Sequence, residues 1–409
     1  MSDRSGPKGA AGSQLALIVV IEILAMSVWF STAAVVPSLS SDWDISSGAA
    51  GWLTTAVQLG FVAGAVASAL LNLADRIPIG KLIVFSALLA AASTALVAIV
   101  SEGLISAIPL RFITGVALAG VYPTGAKLVA SWFEGSRGLA MGILLAALTL
   151  GSGLPHLVGS LGEPQWQTVL LVTSALCLLA AGLALRLKNG PFVADTSPVH
   201  PRYVLSMFTD PKQRAINLSY FGHMWELYAL WTWMPLFVAA SLVAGGDQSA
   251  SGTTVGLVTF FSIGVAGFAG CVASGLLARR AGPMKLARLA LAVSGTCCAL
   301  SPFVFGTSLW LLTPVLLIWG FAVIADSPMF STALSWAADP DYVGTALTAQ
   351  MAIGFLVTAV AIRVTPLMAS STSWRWAFLI LLPGPILGVL SIGGKRFRSK
   401  GKPPLPGSS

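Results

Sequence analysis

Seven ionisable side chains stand within long apolar segments of this chain, and they are the residues best able to do chemistry. They comprise three acids, two histidines and two arginines: Glu22, Glu226, Asp326, His156, His223, Arg111 and Arg363. An ionisable residue in the middle of a membrane-spanning helix costs about 2.5–3.5 kcal/mol on insertion scales, so each one calls for a partner or a function. A carboxyl group in such a place can load and release a proton, or it can bind a cationic solute.

We expect five of these residues, Glu22, Arg111, His223, Glu226 and Asp326, to form a site for substrate binding and proton coupling. His223 and Glu226 are three residues apart, so a helix presents them on one face. The alternative is structural, because the carboxyl groups can also pair with Arg111 or form hydrogen bonds across the helices.

The remaining two ionisable residues, His156 and Arg363, also have structural interpretations. His156 follows Pro155 and either satisfies a carbonyl that the proline frees or serves a function. A metal site with His156 and His223 is a further alternative, but the sequence lacks a compact metal-binding motif. Arg363 lies near the end of its apolar run, where it can extend its charge to the membrane surface, so we interpret it as structural.

Aromatic residues are dense on the same segments. Four of them, Trp29, Tyr122, Trp225 and Tyr228, are expected to line a pocket for an organic substrate. Tryptophan also concentrates at membrane interfaces, and that position is the simpler interpretation of Trp231.

The elements that position these residues follow from composition. Of 409 residues 56% are apolar and 9% are charged, and the mean hydropathy is +0.85. Soluble domains carry about 25% charged residues, so most of this chain belongs in lipid. At about 20 residues for each membrane-spanning helix, there is room for ten to twelve spans and none for a second, soluble domain. This excludes a single-pass receptor and a membrane-anchored enzyme.

Glycine, proline, serine and charged residues divide the chain into twelve predicted spans. Their predicted ranges are 15–39, 49–73, 82–101, 104–130, 138–160, 166–187, 215–240, 253–278, 287–306, 308–337, 344–367 and 375–394. The predicted organisation is an N-terminal tail (1–14), a six-helix bundle (15–187), a central loop (188–214), a second six-helix bundle (215–394) and a C-terminal tail (395–409). We therefore predict an all-α membrane protein.

The basic residues indicate an orientation. With a cytoplasmic N-terminus, 20 of the 23 lysines and arginines fall in cytoplasmic loops and tails. This is the distribution that the positive-inside rule predicts, and it places both termini in the cytoplasm of a cell with a bacterial-type inner membrane. The net charge of +8 thus reports topology, and we expect no nucleic-acid partner.

The two halves of the chain resemble each other at an offset of 204 residues. The offset aligns scarce residue types in separate spans and loops, among them Glu22 with Glu226 and Arg76 with Arg280. A parallel repeat of two six-helix units is the better explanation than coincidence in an apolar sequence.

Three motifs identify a family. Residues 74–81 (ADRIPIGK) resemble the cytoplasmic Gly-x-x-x-Asp-Arg-x-Gly-Arg-Arg signature of the major facilitator superfamily, residues 111–120 resemble its span 4 signature, and residues 374–378 are typical of its twelfth span. The resemblance implies two pseudo-symmetric six-helix bundles, a central cavity lined by spans 1, 4, 7 and 10, and transport by alternating access. It also implies that Asp75, Arg76 and Lys81 act as a conformational latch.

Within that superfamily, residues 122–127, 222–228 and 325–328 are similar to the branch of nitrate/nitrite and cyanate porters. That branch implies an anion-binding arginine in spans 2 and 8, which this chain lacks before the cytoplasmic ends. We therefore expect proton-coupled transport of a small organic or cationic solute, with a small anion as the alternative and a metal ion as a weaker one. The other classes considered are a membrane-embedded enzyme, for which no catalytic motif is present, and a transporter-like sensor. We expect a monomer without a cofactor.

Overall fold

The computed structural model describes residues 8–134, 137–162, 164–192, 201–247 and 251–393. Within these residues, twelve helices are long and apolar enough to cross a membrane, which confirms the predicted number of spans. The start of the predicted N-terminal tail (1–7) and the basic C-terminal tail (395–409) lie outside the described residues.

The spans are numbered 1 to 12 along the chain. Their helices are Lys8–Met26, Ser47–Leu70, Ile79–Val100, Leu104–Leu118 with Tyr122–Trp132, Arg137–Ser160, Trp166–Ala184, Pro211–Ala244, Gly252–Thr259 continuing to Ala281, Pro283–Val304, Leu309–Ala325 with Ser327–Ala337, Val343–Ser371, and Trp374–Ala377 continuing to Ile392. The end that carries the loop between spans 2 and 3 is called the basic end, and the opposite end is called the outer end.

Span 1 is interrupted, whereas the sequence predicts one run over 15–39. Its helix ends at Met26, and turns lead to short helices at Ala33–Val35 and Val36–Asp42. Residues 27–32 form turns, so the regular backbone hydrogen bonds of a helix are interrupted there. The hydroxyl of Ser31 also donates to the carbonyl oxygen of Val28 at 2.9 Å. Backbone carbonyl groups near residue 28 therefore need partners from elsewhere.

Spans 4 and 10 are each made of two helices. The second helix begins with a proline in its first turn, Pro123 in span 4 and Pro328 in span 10. Proline lacks the N–H that continues a helix, so both spans break at the same relative position. Asp326 stands at the break of span 10 and Tyr122 at that of span 4.

Close packing of glycine against backbone joins the helices within each bundle. A Cβ on Gly115 of span 4 would clash with the carbonyl of Val57 in span 2, and a Cβ on Gly320 of span 10 would clash with the carbonyl of Ser262 in span 8. The same contact thus recurs at corresponding positions of the two bundles. Span 8 also contains a π-helix at Phe260–Ala266.

The two bundles meet along two faces. Span 2 packs against span 11, and span 5 packs against span 8. The second contact is backbone to backbone, since a Cβ on Gly153 would lie 2.9 Å from the Cα of Gly264. Small residues allow this approach, which helices need if they slide past each other.

Candidate functional site

Glu226 of span 7 is buried, with 1% of its surface exposed, and its carboxylate is held by two donors. The Oε1 atom accepts a hydrogen bond from Ser294 Oγ of span 9 at 2.7 Å and another from Trp319 Nε1 of span 10 at 2.7 Å. Sequence reasoning missed both donors. The signal for Trp319 was an indole N–H in the middle of an apolar span, because a buried indole N–H needs an acceptor.

His223 lies one turn before Glu226 and joins the same two spans. Its Nδ1 atom is 2.8 Å from Asp326 Oδ1, and its Nε2 atom is 2.8 Å from the hydroxyl of Ser327. Both His223 and Asp326 are 1% exposed. Since Glu226 contacts Trp319 and His223 contacts both Asp326 and Ser327, three polar contacts connect span 7 to span 10. The structure therefore brings together three of the five predicted site residues.

Arg111 of span 4 lies apart from that group and is fully buried. Its guanidinium donates to the carbonyl oxygens of Val28 at 3.0 Å and Trp29 at 2.7 Å, and to the hydroxyl of Ser31 at 3.3 Å. These are the groups that the break in span 1 leaves without helical partners. In this structure Arg111 thus binds the interrupted backbone of span 1, rather than one of the three acids.

Glu22 of span 1 is 1% exposed, and its Oε1 atom has no hydrogen-bond partner among the described residues. Its Oε2 atom would lie 3.4 Å from a Cβ on Gly125 of span 4. Tyr122 lies one turn before Gly125 at the start of the same helix of span 4. Glu22 is therefore buried against span 4 of its own bundle.

An aromatic stack fills this boundary toward the outer end. Three rings of the first bundle meet three of the second: Trp29, Phe30 and Phe61 with Tyr228, Trp231 and Phe355. The Trp29 ring centroid lies 5.9 Å from that of Tyr228 and 5.7 Å from that of Phe355. Trp231 is fully buried here, which corrects its interpretation as a membrane-interface residue.

Trp225 lies elsewhere, although the sequence groups it with the pocket aromatics. Its Nε1 atom donates to the carbonyl of Ile380 at 2.9 Å, and its ring packs beside Gly384 of span 12. Trp225 and Tyr228 are three residues apart on one long helix, but Trp225 turns to span 12 while Tyr228 joins the stack.

Contacts between spans 2 and 11 close the outer end. Arg363 donates to the carbonyl of Gly48, and its guanidinium lies 4.4 Å from the ring centroid of Trp52. A Cβ on Gly51 would clash with the ring of Trp233. Arg363 therefore does more than reach the membrane surface, because it connects the two bundles.

The predicted latch residues lie at the basic end. Asp75 forms a salt bridge with Lys127 of span 4, and Lys127 also donates to the carbonyl of Ala74 at 3.3 Å. Arg76 and Lys81 are exposed. The sequence motif did not indicate Lys127, which is far from Asp75 along the chain.

His156 of span 5 is buried, and its Nε2 atom has no hydrogen-bond partner within the described residues. The expected bond to a carbonyl freed by Pro155 is therefore not made through this atom. No three histidine, cysteine, aspartate or glutamate side chains in the described ranges are close enough to hold a metal ion.

Comparison with known proteins agrees on family and fold. The profile of the Major Facilitator Superfamily matches residues 18–362. The uncharacterized transporter YgaY of Escherichia coli O157:H7 is 29% identical over 204 residues, so the chain spans only about half of that relative (50%, and 47% of this chain). The gallate transporter of Pseudomonas putida is 25% identical over 332 residues, 70% of each chain. The crystal structure of a mutant of the nucleoside transporter NupG matches with a TM-score of 0.71 at 14% identity, covering 93% of this chain and 99% of that chain.

Proposed function

This chain belongs to the Major Facilitator Superfamily, and on that premise we propose that it is a secondary transporter that moves a small solute by alternating access, coupled to protons. The observation that carries the proposal is the buried group of His223, Glu226 and Asp326 between spans 7 and 10. Three ionisable side chains with side-chain partners in a water-poor site can exchange protons as the site opens to one side and then to the other.

The arrangement of the bundles supports alternating access. At the outer end, Arg363 and Trp52 connect spans 11 and 2, and at the basic end Asp75 and Lys127 connect the loop before span 3 to span 4. The first contact joins the two bundles and the second lies within one bundle. Breaking and remaking a contact such as the first is what rocking of two rigid bundles requires.

We further propose that the protein works as a monomer in a bacterial-type inner membrane, with both termini in the cytoplasm. The distribution of basic residues supports this orientation. We keep the predicted division into bundles at 15–187 and 215–394 joined by the loop 188–214. The similarity to transporters, together with the absence of a catalytic motif in the sequence, favours transport over a membrane-embedded enzyme or a sensor.

A second candidate is transport of an aromatic anion, because one relative is a gallate transporter. The six rings of the aromatic stack would suit an aromatic molecule. An anion also needs a cationic partner, and the guanidinium of Arg111 is already bonded to span 1. The aromatic-anion hypothesis therefore depends on a rearrangement of Arg111.

The test is uptake into proteoliposomes that contain the purified protein and a pH-sensitive dye. The solutes are small organic cations, neutral compounds and aromatic acids including gallate. An imposed proton gradient is expected to drive accumulation of one class, together with a change in internal pH.

Glu226→Gln is expected to abolish accumulation and to retain exchange of solute, because only net transport needs the proton. Glu102→Gln, at an exposed position between spans 3 and 4, is the matched control and should transport normally. Gradient-independent accumulation, or full accumulation by Glu226→Gln, would contradict the coupling role.

A further inference from the structure

The two bundles carry equivalent carboxyl groups that differ in their partners. Glu22 and Glu226 occupy equivalent positions on spans 1 and 7, and each is 1% exposed. Glu226 Oε1 accepts two hydrogen bonds at 2.7 Å, whereas Glu22 Oε1 accepts none from the described residues. A buried carboxylate oxygen without a donor is costly, so Glu22 retains binding capacity that Glu226 has already used.

The sequence explains this asymmetry. The residue equivalent to Ser294 is Ala90, which has no polar atom in its side chain. The residue equivalent to Trp319 is Gly115, or Thr114 if the register shifts by one residue. Gly115 has no side chain, and the Thr114 hydroxyl is bonded to Leu110 and lies 2.8 Å from the hydroxyl of Ser93. Both donors that hold Glu226 are therefore missing around Glu22.

The charge around the centre favours a cationic ligand. Among the described residues, His223 lies within salt-bridge distance of Asp326, and no cationic side chain lies within that distance of Glu22. The guanidinium of Arg111 keeps its charge, but its donors are directed to the backbone of span 1 and not to Glu22. A bound cation would therefore find an acceptor at Glu22, while an anion would meet repulsion.

Tyr122 and Tyr228 link Glu22 to the aromatic stack. Tyr122 lies one turn before Gly125 of span 4, where a Cβ would lie 3.4 Å from Glu22 Oε2. The Tyr228 ring lies 5.9 Å from that of Trp29, which follows Glu22 by seven residues along span 1. Aromatic faces attract cations and also pack against the apolar part of an organic molecule. The carboxylate of Glu22 and the rings of the aromatic stack could thus contact different parts of one ligand.

We propose that Glu22 is the substrate-binding carboxylate and that it takes the ammonium group of an organic cation whose apolar part packs against the aromatic stack. Glu226, already held by Ser294 and Trp319, does not contact the substrate. This inference rests on the proposed transport function, since it names the class of substrate that the same centre accepts.

The test measures binding in detergent without any gradient. The probes are three molecules of similar shape, namely benzylammonium, benzyl alcohol and benzoate, with benzyltrimethylammonium as a second cation and gallate as a second anion. Thermal unfolding is followed through tryptophan fluorescence, because a ligand stabilises the folded protein by RT ln(1 + [L]/Kd). The dissociation constant follows from the dependence of the melting temperature on probe concentration.

The cations are expected to stabilise the protein, and the neutral and anionic probes are not. Glu22→Gln should weaken cation binding by at least about tenfold, because a hydrogen bond to a charged group is lost. Glu22→Asp, which keeps the charge, should lose less affinity, and Glu102→Gln should bind as the wild type does. The melting temperatures without ligand show whether each variant is folded.

Wild-type affinity in Glu22→Gln, tighter binding of benzoate or gallate than of the cations, or no stabilisation by either cation would each overturn this inference. Its failure is distinguishable from failure of the proposed function. Proton-driven uptake of an anion without cation binding would refute the cation site at Glu22 and support the proposed transport function. Glu22-dependent cation binding without driven uptake would support the cation site and refute proton-coupled transport.

Discussion

Replacing Arg111 should destabilise the whole first bundle, because its guanidinium supplies the donors for the break in span 1. The Arg111→Ala variant loses three hydrogen bonds, to Val28 O, Trp29 O and Ser31 Oγ. A hydrogen bond to a charged group is worth about 1.5–3 kcal/mol, but the three share one donor group and are not additive. Leaving a buried carbonyl without a donor costs about 1–3 kcal/mol, and we expect a loss in that range.

The assay is reversible unfolding in mixed micelles of dodecylmaltoside and sodium dodecyl sulfate, followed by tryptophan fluorescence. Arg111→Lys provides the graded variant, because an ammonium group keeps the charge but cannot reproduce the planar fork that spans two carbonyls. It should lose about half as much stability as Arg111→Ala. The control is Arg202→Ala, at an exposed position in the central loop. Surface substitutions of this kind usually change stability by less than about 0.5 kcal/mol, and we expect the same here.

Hydrogen exchange gives an independent measurement of the same contact. Without Arg111, amides in the segment 27–35 should exchange faster, while those of span 7 stay protected. A loss of less than about 1 kcal/mol for Arg111→Ala, or equal effects of Arg111→Ala and Arg202→Ala, would refute the idea that this arginine supports span 1.

Two further perturbations test the contacts at the basic end and between the bundles. Asp75→Asn and Lys127→Met should each slow turnover, and a double-mutant cycle on turnover should be non-additive, with a coupling energy of about 0.2–1 kcal/mol, as for other solvent-accessible ion pairs. The side chains of Lys127 and Asp75 are 17% and 30% exposed, and additive effects on turnover would show that their salt bridge is not a latch. Gly153→Leu should abolish transport in a folded protein, because its side chain meets Gly264 of the other bundle, whereas Gly182→Leu on span 6, where a Cβ meets nothing within 4 Å, should transport normally. Transport by Gly153→Leu would show that this contact is not needed.

The twelve spans follow from hydropathy, which depends only on local composition, and the structure confirms their number. The interruption of span 1 is less local. The turns at residues 27–32 depend on Arg111 of span 4, whose donors bond to the buried carbonyls of Val28 and Trp29 that lack helical partners. The sequence placed Arg111 in the site for substrate binding and proton coupling, or as a partner of the acids, because its charge alone gives no information about backbone carbonyls as partners.

The charged residues of the candidate site were predictable from the sequence, but their uncharged partners from other spans were not. The spacing of His223 and Glu226 placed both on one face of span 7. Asp326 stood out because an ionisable side chain is costly to place in a membrane. The donors Ser294 and Trp319 come from other spans and carry no charge, so the cost of burying a charge in the membrane does not identify them. The different orientations of Trp225 and Tyr228 likewise depend on which neighbours span 7 packs against, which periodicity does not specify.

The contact between Arg111 and span 1 also bears on how the protein enters the membrane during synthesis. Span 1 emerges from the ribosome before span 4, with an interrupted helix whose carbonyls near residue 28 need donors. Span 4 arrives later with an arginine that is costly to place in lipid. The carbonyls of span 1 need hydrogen-bond donors, and the guanidinium of Arg111 supplies them. Spans 1 and 4 are therefore expected to reach their final depth together, and release of the first bundle from the insertion machinery should wait until Arg111 has been made.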